Sequence, residues 1–145
     1  MKYVKMFALA IPLIILACKG QYSDIVKASS YQDFRAVQEL VEKGADVNKA
    51  DRYGTTALIN GAYYGNLPIV KYLCARGADV NHQNSDGWTA LHFAANYDFP
   101  EIAKVLLEHG ASTKIENNQG YTAKYYAKKY DRKEILALIN AKEGL

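Results

Sequence analysis

Apolar residues return along this chain at two spacings at once. Over short windows they fall at helical intervals. Phe34, Val37, Leu40 and Val41 share one face, and Ile135, Leu136, Leu138 and Ile139 do the same near the C-terminus. Over longer distances the whole pattern recurs every 33 residues, the spacing of Gly54, Gly87 and Gly120 and of Thr56, Thr89 and Thr122. Gly44, Gly77 and Gly110 form a third series in the same register, each followed by alanine. A fixed period of this length predicts a stacked array, in which each unit buries its apolar face against its neighbours.

Four units follow from the register, at about 22–48, 49–81, 82–114 and 115–145. Each has polar loop residues, a first helix and a second helix. Thr56, Thr89 and Thr122 stand where first helices begin, so their hydroxyls can accept from orphan backbone N–H groups. Gly44, Gly77 and Gly110 end second helices, where a left-handed residue is needed. Pro68 and Pro100 lie early in second helices, where a missing N–H costs least. Leu91 and Leu106 are expected in the core. The first unit lacks the Gly-x-Thr opening, as an end unit with no preceding neighbour can. The fourth carries Lys124, Lys128 and Lys129 on its first helix, and the expectation is a solvent-facing C-terminal cap.

Residues 1–17 read differently. Lys2 and Lys5 precede an uncharged, nearly all-apolar run from Met6 to Ala17. That run is too short for the roughly 20 residues of a comfortable membrane-spanning helix and fits a secretory signal peptide. The chain is therefore expected to be exported to the cell envelope. The segment ends Ile15-Leu16-Ala17-Cys18, which resembles the lipobox of bacterial lipoproteins, with Leu16 in place of the usual small residue. The resemblance implies lipidation of Cys18 and attachment to a membrane on the periplasmic or outer side. An ordinary cleaved signal with an incidental cysteine is the alternative. Residues 18–21 would then form a short tether, with a reach of roughly 15 Å at about 3.3–3.6 Å per residue.

Charge and chemistry narrow the function classes. The formal net charge is +3, but Lys2 and Lys5 account for two of the 18 basic residues, leaving 16 against 15 acidic ones. Without a basic run, nucleic-acid binding is not expected. Cys18 and Cys74 sit in different contexts, and the array does not need a disulfide to supply its core. Cys74 takes an apolar helix position and reads as a small buried hydrophobe. His82, His92 and His109 show no metal-binding spacing, the glycines are spent on turns, and no nucleophile motif is present. The expectation is a non-catalytic protein with no cofactor and no metal.

The repeated stretches Gly-x-Thr-Ala-Leu-His-x-Ala-Ala, Ile-Val-x-x-Leu-Leu and Gly-Ala-Asp-Val-Asn resemble the ankyrin repeat, from about Tyr22 to Asn140. The resemblance implies an all-α solenoid of about four repeats, with paired antiparallel helices and short hairpin loops. It also implies that His92 links loop and helix by hydrogen bonds. Departures are Ile59 for the usual histidine, Asp98 for the turn glycine, and Ser112-Thr113-Lys114 for the Asp-Val-Asn close.

Such arrays usually meet a partner protein through their hairpin tips and the exposed side of their first helices. Carried over residue by residue, that face holds Tyr31, Arg52, Tyr53, Tyr63, Tyr64, Asp86, Trp88, Asn96, Tyr97, Tyr121 and Tyr130, with Tyr22, Gln83, Glu116, Gln119 and Lys129 beside them. Of the twelve tyrosines, eight fall on this face, together with the one tryptophan. Tyrosine and tryptophan offer large, fairly rigid contact area with a polar handle. A partner protein in the envelope is the first reading, a glycan stacked on the same rings the second, and rings that merely pack between repeats the third.

Overall fold

The computed structural model describes residues 22–145. The expected signal segment 1–17, Cys18 and the tether 18–21 lie outside the described residues. Eight helices follow in chain order: α1 (Ile25–Ser30), α2 (Phe34–Glu42), α3 (Ala57–Tyr63), α4 (Leu67–Ala75), α5 (Ala90–Tyr97), α6 (Pro100–Glu108), α7 (Ala123–Lys129) and α8 (Lys133–Glu143). Among the described residues there is no strand beyond isolated bridges, Ala50 with Thr56 and Glu116 with Thr122.

The helix starts are set by local chemistry. Thr56, Thr89 and Thr122 hold extended backbone, and each hydroxyl accepts from the N–H three residues on. Those bonds satisfy one of the four donors that every helix start leaves unpaired. Where threonine is missing, acids and amides take over: Asp24 caps α1, Asp33 caps α2 and Asn66 caps α4. Pro68 and Pro100 occupy first-turn positions of α4 and α6. Gly44, Gly77 and Gly110 follow the second helices with φ of 90°, 81° and 92°, as their register predicts.

A second left-handed series joins the two helices within each unit. It is occupied by Gln32, Gly65, Asp98 and Asp131, with φ of 59°, 72°, 64° and 53°. Only Gly65 answers to space as well as φ, because an added Cβ would meet the Phe99 ring at 2.7 Å. The other three carry a side chain in a conformation that costs L-residues roughly 1–2 kcal/mol.

Helices α1, α3, α5 and α7 pack side by side as an inner row, and α2, α4, α6 and α8 form a second row against them. The core runs between the rows through Ile25, Leu58, Ile69, Leu73, Leu91, Ile102, Leu106, Ile135 and Ile139, all essentially inaccessible. Polar ties cross from unit to unit. Asn48 accepts from the Asp79 N–H, and Asn81, one repeat on, accepts from Ser112. Asn60 donates to the Val26 carbonyl and the Ser29 hydroxyl.

His92 does what the resemblance implies. Its Nδ1 lies 3.2 Å from the Thr89 nitrogen and 2.8 Å from the Thr89 hydroxyl. Its Nε2 lies 3.0 Å from the Tyr121 carbonyl oxygen in the next hairpin. A donating Thr89 N–H and an accepting carbonyl together require the neutral Nε2–H tautomer. Burial holds the imidazole below its ordinary pKa, opposed by its backbone hydrogen bonds.

The fourth unit differs from expectation at Lys124. Its ammonium is mostly sheltered and lies 2.6 Å from Glu143 of α8, which also pairs with Lys114 at 3.0 Å. Lys124, the Thr113 hydroxyl and Lys114 together hold the Glu143 carboxyl down at about 2. Thr113 is buried where the repeat pattern has valine, and Glu143 supplies its polar partner. Lys128 and Lys129 are exposed, as a terminal unit allows.

Candidate binding face

The hairpins are built alike. Asp51 accepts from the N–H groups of Tyr53 and Thr55, Asn84 from those of Asp86 and Trp88, and Asn117 from those of Gln119 and Tyr121. A short polar side chain bonding its own backbone two and four residues on holds each loop without help from the core. Successive tips are laced together. Ser85 donates to the Tyr53 carbonyl, Asn118 to that of Asp86, and His82 Nε2 lies 2.9 Å from the Gly54 oxygen. Gln83 is spent in this lacing, donating to the carbonyls of Gly87 and Glu116.

On this frame Tyr31, Tyr53, Tyr63, Tyr64, Tyr97, Tyr121 and Tyr130 are exposed, as are Arg52 and Asp86. Asn96 and Trp88 are half-buried. Tyr31, Tyr64, Tyr97 and Tyr130 stand one per unit at the repeat interval, at the C-terminal end of each inner helix, and are 64%, 43%, 44% and 42% exposed. Four large rings left in water at equivalent positions stand out in a chain that buries Leu58 and Leu91, Leu73 and Leu106, and Ile69, Ile102 and Ile135 at the same interval. Their shared spacing was readable in the sequence.

The rings form a connected network across units two to four. Tyr63 meets Tyr64, Phe93 and Tyr97 edge-on, at 4.9, 5.4 and 5.4 Å. Trp88 lies between Phe93 and Tyr126, 4.7 Å from each, so much of the indole packs rather than faces water. Tyr121 stacks on Tyr125 at 4.0 Å. Tyr31 stacks with Tyr22 at the other end of the array, and Arg52 covers Tyr53 at a hairpin tip. Phe93, Tyr125 and Tyr126 were not among the residues expected on the face, yet they support it. Tyr126 is buried, with its hydroxyl bonded to Asn117.

The electrostatics of the face are mild. Burial pushes the Tyr97 phenol above its ordinary pKa, with the neighbouring Tyr63 adding to it. Lys129 stands over the rings of Tyr130 and Tyr125, 5.3 and 5.8 Å from their centres. Away from the face, burial pushes the Cys74 thiol up to about 11, so it stays protonated and unreactive near neutral pH. Among the described residues no group of three His, Cys, Asp or Glu side chains could hold a metal ion. No described helix is long and apolar enough to cross a membrane.

Two family profiles match the chain. One, described as ankyrin repeats (3 copies), covers residues 62–144, and another, described as ankyrin repeats (many copies), covers residues 25–74. No curated protein matches it. With all four helix pairs stacked as described and more than half the chain inside one profile, the protein belongs to the ankyrin repeat family.

Proposed function

We propose that this protein is a non-catalytic binding module of the cell envelope, exported by residues 1–17 and tethered through a lipid on Cys18, whose tyrosine face docks a partner protein. Ankyrin repeats generally mediate protein–protein interaction, and the array here gives that role a rigid platform. The observation that carries the reading is the column Tyr31, Tyr64, Tyr97 and Tyr130, exposed once per unit in register. Rings held by neighbouring rings lose little side-chain freedom when a partner covers them, which is why such residues recur at binding hot spots. Tyr53, Tyr63, Tyr121, Arg52, Asp86, Asn96 and the exposed edge of Trp88 would contribute around that column.

The test is a crosslinked capture from envelope extract, using the full chain beside a Tyr64→Ala, Tyr97→Ala variant that still melts cooperatively. One protein enriched by the parent and lost with the variant is the expected result. Equal capture by both would move the binding surface elsewhere. Retention that survives protease but is lost on glycan digestion would replace the protein partner with a glycan. Export is tested separately by labelling the chain with a lipid precursor: incorporation that disappears on Cys18→Ala is expected, and unlabelled chain would remove the tether.

A further inference from the structure

Resting on the tyrosine face as the binding surface, we propose that its occupant is an extended, acidic polypeptide segment in the polyproline II conformation. It lies across the inner helices and presents one residue in three to each tyrosine. The first argument is spacing. Inner helices packed side by side stand about 8–10 Å apart. Tyr63 touches both Tyr64 and Tyr97, which limits the separation of those two column members to about 10 Å. A polyproline II helix turns once in three residues and rises about 3.1 Å per residue, so residues three apart share one face at about 9.3 Å. A β-strand presents same-face side chains every ~6.6 Å and falls out of step with the column; an α-helix meets it only at every second turn, ~10.5 Å, just beyond the upper end of the spacing.

The second argument is hydrogen bonding. A polyproline II backbone has no internal hydrogen bonds and needs partners for its carbonyls. Exposed phenols line the column, and between units two and three a cleft of about 280 Å³ is lined by Thr55, Asn60, Tyr63, Tyr64, Asn84 and Phe93. The Asn84 oxygen is occupied by its own loop, which leaves the amide nitrogen without a partner among the described residues. Drug-sized ligands occupy clefts from about 300 Å³ upward, so this cleft suits one side chain of a longer chain.

The third argument is charge. Lys27, Arg52 and Lys129 all border the face, and none has a carboxylate within ion-pair distance among the described residues. The nearby acids are committed: Asp24 to Lys49 and the α1 cap, Asp51 to its loop, Asp98 to Arg132 and Asp131 to Lys133. Asp86 and Glu116 are the exceptions, at the hairpins of units three and four. A segment bearing carboxylates complements the remaining positive sites and gains on-rate from them.

The test is an array of peptides of about four polyproline II turns, written (Pro-X-Z) repeated, with X and Z covering all residue types. It is probed with the full chain in detergent, with Tyr64→Ala, Tyr97→Ala and with Lys27→Glu, Lys129→Glu. Bound spots should concentrate on Asp or Glu at one position, vanish with the tyrosine variant and shift toward Lys or Arg with the charge-reversed one. For the best sequence in solution, replacing its prolines by glycine should weaken binding at least about tenfold. No bound spot, selection without acids, or indifference to glycine would overturn the proposal. If the array fails while capture from extract still depends on Tyr64 and Tyr97, the tyrosine face stands and its partner is folded. If a β-1,4-linked N-acetylglucosamine oligomer binds instead, both readings fall.

Discussion

Replacing His92 by leucine keeps most of the buried volume and removes two ties at once. The Thr89 N–H loses its acceptor inside the first turn of α5, and the Tyr121 carbonyl loses a donor from the neighbouring unit. The Thr89 N–H is left unpaired, at about 1–3 kcal/mol, while the Tyr121 carbonyl keeps the Asn117 N–H and loses one net hydrogen bond, about 0.5–1.5 kcal/mol, so the two together should cost about 1.5–4.5 kcal/mol. For a domain of this size that lowers the melting temperature by roughly 10 °C. The same residue sets a pH dependence. Burial lowers the folded pKa below the ordinary 6.5, so above that value both states are neutral and the contribution is full. As pH falls through 6.5 the unfolded chain takes up a proton first, and stability declines until the folded imidazole also titrates. Thermal melts followed by circular dichroism between pH 7.5 and about 5 should show this decline in the parent and not in His92→Leu. A variant that melts with the parent at pH 7.5, or that keeps the parent's pH dependence, would refute the roles given to both ring nitrogens.

Three further outcomes are expected. The Tyr72 hydroxyl is buried with no hydrogen-bond partner among the described residues, so Tyr72→Phe should raise stability by about 1 kcal/mol in urea titration; a loss would mean that the hydroxyl is bonded. Gln32 holds φ of 59° and is exposed, so Gln32→Gly should stabilise by about 0.5–1 kcal/mol, net of the extra freedom that glycine gives the unfolded chain. Glu143 is held at about 2, so its contribution is complete above pH 4.5 and is lost as pH falls from there toward 2. Melts of Glu143→Gln should be lower than the parent's near neutrality and flatter over that acid range, and superimposable curves would rule out the contacts to Lys124 and Thr113.

The features legible in the sequence are those that one residue decides locally. A threonine hydroxyl reaches its own helix start, a glycine is required by its own φ, and a proline is tolerated by its own missing N–H. Thr56, Gly77 and Pro68 therefore fell into place from the repeat register alone. What was not legible depends on partners distant in sequence. Lys124 read as a solvated charge because Glu143, nineteen positions on, meets it only after α8 folds back over α7. Trp88 read as a free contact residue, yet Phe93 and Tyr126 sandwich it, and Tyr126 is anchored from beneath by Asn117. The left-handed position at Gln32 was hidden because the residue there gives no turn signal, although Gly65, Asp98 and Asp131 mark the same place in the other units.

The most direct measurement on the tyrosine face is hydroxyl-radical footprinting of the full chain with and without its captured partner, read residue by residue. Tyr31, Tyr64, Tyr97 and Tyr130 should lose reactivity together on binding, while Tyr72 on α4 keeps its own. Protection confined to the outer helices, with the four column tyrosines as reactive as before, would contradict the assignment of that face.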